Sequence, residues 1–99
     1  MERKLLSAAE LDRVRDELSA DWLVDPHELL RTVEFPAFLT AVRFIDEFAP
    51  IAERLEHHPD LTLSWRTVTL RLTTHSAGGV TEYDLALARE LDPIIARLS

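Results

Sequence analysis

A chain of 99 residues, 46% hydrophobic and 29% charged, is long enough for one domain with one core and too short for two, and only two glycines and five prolines argue against disorder. Its formal charge of −7, from 18 acidic and 11 basic side chains, repels a phosphate backbone and so disfavours nucleic acid as a partner. The lack of cysteine excludes disulfides, thiolate nucleophiles and Cys-ligated zinc, and the lack of any apolar run of signal-peptide or membrane-span length predicts a cytoplasmic protein.

Ser7-Ala8-Ala9-Glu10 has the form of a capping box, and Leu11, Val14 and Leu18 follow at helical spacing, which predicts a helix to about Ser19. Trp22-Leu23-Val24 reads as a short strand and Asp25-Pro26 as a turn, because proline presets φ and aspartate can bond the backbone beyond it. A second strand is expected from Glu28 to Phe35, rich in Leu, Thr and Val. Pro36 suits the first turn of a long helix in which Phe38, Leu39, Val42, Ile45, Phe48, Ala49, Ala52 and Leu55 recur at threes and fours. Pro50 removes the bond to the carbonyl of Asp46, so a kink is expected there. Pro59 predicts an end at about His57, with His57 and His58 together at the C-terminal mouth of the helix.

Leu61, Leu63 and Trp65 alternate with Thr62 and Ser64, and Val68, Leu70 and Leu72 alternate with Thr67, Thr69 and Arg71. Two antiparallel strands joined at Arg66-Thr67 follow, with Trp65 a core aromatic on the face of Leu61 and Leu63. His75 falls in phase with Arg71 and Thr73, off that core face. Gly78-Gly79 allow a tight turn, and Thr81 with Asp84 forms a second capping box. Leu85, Ala88, Leu91, Ile95 and Leu98 make the stripe of a last helix, bent at Pro93. The order α-β-β-α-β-β-α predicts a single α+β domain over 1–99, a four-stranded antiparallel sheet with its helices packed on one face. Strand edges without proline or lysine protection favour a homo-oligomer over a monomer.

Three of the four histidines lie between Glu53 and Asp84, and histidine, with an unperturbed pKa of ~6.5, is the side chain that exchanges protons near neutrality. His57 and His58 close a helix, and His75 closes a strand whose antiparallel partner starts just after Pro59, so all three can share one cleft. His27, in the Asp25-Pro26 turn, reads as ordinary surface. Zinc is disfavoured, because neighbouring histidines diverge by about 100° on a helix and neither an i, i+4 pair nor a His-Glu-x-x-His spacing is present. Asp84 also has a structural use as a capping carboxylate, and Glu53 as plain helix surface.

Glu53, His57-His58-Pro59, Trp65, His75 and Asp84 resemble, at every spacing, the signature of the pterin-4a-carbinolamine dehydratases. Trp22, Phe35, Phe38 and the Ser76-Ala77-Gly78-Gly79-Val80-Thr81 turn extend the resemblance over most of the chain, while Pro50 and Pro93 depart from it. It implies a four-stranded antiparallel sheet with helices on one side, a homodimer or homotetramer, and dehydration of 4a-hydroxytetrahydropterin to the quinonoid dihydropterin, the recycling step after aromatic amino-acid hydroxylation. By the same resemblance His57 and His75 flank the 4a-hydroxyl as acid/base groups, with either one the acid, His58 holds the pterin, and Glu53, Trp22 and Asp84 bind or orient it, with neither metal nor cofactor required. The competing expectation is a non-enzymatic assembly or regulatory protein-binding module on the same fold.

Overall fold

The computed structural model describes residues 1–99, in the order α1 (Ala8–Glu17), β1 (Leu23–Val24), β2 (Leu29–Glu34), α2 (Phe38–Leu55), β3 (Asp60–Ser64), β4 (Thr67–Leu72) and α3 (Glu82–Leu98). The expected order of elements and the α+β class both hold. The Ser7 hydroxyl accepts the Glu10 N–H at 3.2 Å while Glu10 accepts the Ser7 N–H at 2.9 Å, so the first capping box forms as its sequence predicts. Leu18 turns extended, and α1 ends two residues before Ser19.

The strands pair antiparallel in the order β1-β2-β4-β3, which places β1 and β3 at the edges. Leu29, Arg31 and Val33 of β2 share the covered face with Val68, Leu70 and Leu72 of β4, and Thr32, Glu34 and Arg71 point the other way to solvent. Ala41, Phe44, Phe48 and Ala52 of α2 and Leu87, Ala88, Leu91 and Ile95 of α3 close that face, joined by Leu11 and Val14 of α1. The helices therefore cover one side of the sheet, as expected from a period of 3.6 set against a period of 2.

Local detail departs from expectation at Pro36 and at the β3–β4 hairpin. Pro36 precedes α2 instead of occupying its first turn, since Ala37 is the N-cap. As expected, both α2 and α3 continue through their prolines, and Pro50 and Pro93 are exposed, so the carbonyl each leaves unpaired lies on the wet side where water can bond it. The hairpin turn is Trp65-Arg66, not Arg66-Thr67. Trp65 consequently leaves the core: it is 72% exposed, has φ 56° and stacks with the Arg66 guanidinium 4.7 Å from its ring. Alternation does place Leu61 and Leu63 inward, but it stops at Ser64, where the chain must reverse.

Gly78 has φ +80°, as the tight turn requires. Gly79 answers a different demand, because a Cβ there would lie 2.4 Å from the Pro26 carbonyl oxygen, which the Val80 N–H bonds at 3.0 Å.

Candidate active site

A left-handed residue precedes the two adjacent histidines. Glu56, at φ 52°, caps α2, and the N–H of His57 turns back to the carbonyl of Ala52 at 3.1 Å. The helix therefore ends before His57, and the pair is not presented together at its mouth: His57 points into the protein, 6% exposed, while His58 points out. Extending the β3–β4 register past Asp60↔Arg71 sets His57 and His58 opposite Thr74 and Thr73, which brings His75 alongside them.

His57 Nε2 lies 2.5 Å from Asp84 Oδ1, and Asp84 is fully buried. The other oxygen, Oδ2, accepts the Thr81 N–H and the Thr74 hydroxyl, both at 2.9 Å. Thr74 has a single hydroxyl proton and commits it to Asp84, so Thr81 is the donor in the 2.7 Å contact between the two hydroxyls. Asp84 thus caps α3 through one oxygen and hydrogen-bonds His57 through the other. Because a carboxylate only accepts, Nε2 of His57 carries a proton and Nδ1 is left without a partner; it makes no hydrogen bond and is not sealed from solvent.

The other two imidazoles repeat this arrangement at the surface. His58 Nε2 lies 2.6 Å from Glu53 Oε1, and His75 Nε2 lies 3.2 Å from Asp60 Oδ2. The three histidines line one cleft of about 400 Å³ together with Arg3, Glu56, Asp60 and the Thr73–Ser76 segment. Apart from Pro59 its lining is polar or charged, so it suits a ligand rich in hydrogen-bonding groups. No group of three or more His, Asp or Glu side chains is arranged to hold a metal ion.

Trp22 does not join this cluster. It is buried, and its Nε1 donates to Asp92 Oδ1 at 2.6 Å, the same oxygen that accepts from Arg31 at 2.7 Å. Asp92 lies eight residues beyond Asp84 on α3, roughly 12 Å along the helix. The tryptophan expected to touch substrate is a core residue, and its indole N–H needed a buried acceptor. His27 is exposed, as expected of a turn residue. Two cleft residues escaped sequence reasoning. Asp60 could have been found from its outward phase with Thr62 and Ser64 beside Pro59; Arg3 carries no local signal at all.

The family model for pterin 4 alpha carbinolamine dehydratase matches residues 4–94. The chain belongs to that family. Curated relatives that carry the provisional name pterin-4-alpha-carbinolamine dehydratase include one from Mycobacterium sp. (strain KMS), 44% identical over 94% of this chain and 98% of its own. Another, from Nocardia farcinica, is 43% identical over 95% of this chain and 98% of its own. The crystal structure of a transcriptional coactivator/pterin dehydratase from Brucella melitensis superposes with a TM-score of 0.86 at 34% identity, covering 93% of this chain and 99% of that one. A pterin dehydratase-like RuBisCO assembly factor of the alpha-carboxysome shares the fold, with a TM-score of 0.61 at 20% identity over 75% of this chain and 86% of its own.

Proposed function

We propose that the cleft dehydrates a 4a-hydroxytetrahydropterin to the quinonoid dihydropterin by histidine acid/base chemistry, the step that returns an oxidised pterin to use after aromatic amino-acid hydroxylation. One observation carries the reading: three imidazoles line a single polar cleft, and each has its Nε2 engaged by its own carboxylate, leaving Nδ1 free for a ligand. Membership of the family and the names of the relatives supply the substrate class.

In the reaction the C4a–O bond breaks with its electron pair on oxygen. Hydroxide leaves poorly, so an imidazolium donates a proton and water departs. A neutral imidazole removes the proton from N5, and the freed pair closes the C4a=N5 double bond. One proton is given and one taken, and no oxidation state changes overall. His57 and His75 form the acid/base pair and His58 holds the ring, with Asp84, Asp60 and Glu53 respectively fixing which nitrogen of each imidazole faces the substrate. A protein-binding role on the same fold would make no use of three imidazoles backed in this way. The test is to add the protein to freshly generated 4a-hydroxytetrahydropterin and follow quinonoid absorbance above the spontaneous rate. No acceleration at micromolar protein would sink the proposal.

A further inference from the structure

We infer that Arg3 binds an oxyanion carried on the substrate's side chain and makes the cleft selective for acidic pterins; this extends the dehydratase reading by naming a substrate class. Arg3 lies just before residues 4–94, which match the family model. It is the only Lys or Arg that lines the histidine cleft.

Its charge is unspent. Of the ten arginines, eight pair with a carboxylate: Arg15, Arg31, Arg43, Arg54, Arg66, Arg71, Arg89 and Arg97. Arg3 has no such partner although Glu56 and Asp60 share its cleft, and Asp60 is already engaged by His75. In a chain with seven more acidic than basic side chains, a guanidinium left unpaired beside carboxylates keeps its planar fork of donors open.

It is nevertheless held in place. The guanidinium carbon sits 4.5 Å from the centroid of the Tyr83 ring, a cation–π contact, and the Tyr83 hydroxyl donates to the Met1 carbonyl at 3.2 Å. The Leu6 N–H bonds the Val80 carbonyl at 3.0 Å, which ties down the other end of the arm. Tyr83 in turn packs against His57, ring centroids 5.6 Å apart, so Arg3 stands one aromatic ring away from the proposed acid/base pair. That is the place for a substituent on the bicyclic ring and not for the reacting carbon. Phosphate ester and carboxylate both match the fork.

The experiment uses the 99-residue chain without an N-terminal tag and stable 7,8-dihydropterins whose side chains end in a diol, a phosphate monoester or a carboxylate. Calorimetry should give Kd for each acidic pterin roughly five- to tenfold below that of the diol. Arg3→Ala should bring the ratio to about one, and Arg3→Lys should keep only part of it, since a point charge lacks the fork. The phosphate and carboxylate arms show which oxyanion is preferred. Equal Kd values for diol and acidic ligands, or a preference that survives Arg3→Ala, would overturn the inference. Turnover measured in parallel separates the two proposals: an Arg3-dependent preference without dehydration upholds the inference and rejects the catalytic reading, whereas dehydration without preference does the reverse.

Discussion

Asp84→Asn separates the two tasks of the buried carboxylate. Asparagine keeps the shape, and its Oδ1 can still accept the Thr81 N–H and the Thr74 hydroxyl, now as neutral in place of charge-assisted bonds. That difference amounts to about 1–2 kcal/mol, or very roughly 4–15 °C in Tm for a domain of this size. The amide nitrogen, however, then faces His57 Nε2 and donates to it, so Nε2 must become the acceptor and the imidazole proton moves to Nδ1. His57 then presents the wrong tautomer to the cleft while the fold survives, and kcat should fall by ~10²–10⁴-fold. Asp84→Ala instead leaves His57, Thr74 and Thr81 without a buried acceptor and should cost about 3–5 kcal/mol. Stopped-flow turnover, thermal melts and ¹⁵N chemical shifts of the His57 ring read out activity, stability and tautomer. An Asp84→Asn protein with wild-type kcat and an unchanged tautomer would refute the role given to this contact.

His75→Ala should lower kcat by ~10²–10⁴-fold and shift stability by no more than about 0.5 kcal/mol, since the side chain is exposed; His27→Ala should change neither, and an unaltered kcat in the first variant removes His75 from the chemistry. Gly79→Ala should destabilise more than Gly78→Ala, because only at Gly79 would the methyl collide with backbone; denaturant midpoints that rank the other way contradict the close approach to Pro26. Hydrogen bonds hold the Asp25, Glu10 and Glu17 carboxyls below their ordinary values, from the N–H groups of His27 and Glu28, from Ser7 and from Arg89 respectively. Their folded values lie below the unfolded ones, so the stability they contribute is complete above the ordinary range of about 4 and is lost as pH falls through the lowered values. Asp25→Asn, which can still accept those N–H bonds, should flatten the acid limb of a melting-temperature profile; an identical limb would discount the turn carboxylate. Light scattering should return a dimer or tetramer, given the open edges at β1 and β3, and a monomer at high concentration would show those edges to be inert.

What the sequence determined by itself is what short-range physics controls. Both capping boxes join residues three apart, so Ser7/Glu10 and Thr81/Asp84 could be read directly, and both form. Alternation and helical period sorted Val68, Leu70, Leu72, Phe48, Ala52, Leu91 and Ile95 inward, because burial of one face follows from backbone geometry, but on α2 they also marked Phe38 and Leu39, which are exposed, and passed over Ala41 and Phe44, which are buried. The candidate site was legible as a set of histidines, since His75 must return near His57 once β3 and β4 pair. The tertiary structure alone decided which carboxylate serves which imidazole. Asp84 reaches His57 across 27 positions and Asp60 reaches His75 across 15, and no local pattern encodes such distances. It also reversed the two tryptophans: Trp65 reads as core but sits where the hairpin must turn, and Trp22 reads as site but is drawn inward by Asp92 on α3, 70 positions away. Arg3 reaches the cleft only because Tyr83, 80 positions on, offers a ring for its cation to rest upon. Helix ends, turns and alternation are settled within a few residues of chain, whereas the pairing of charges and donors depends on where distant elements pack.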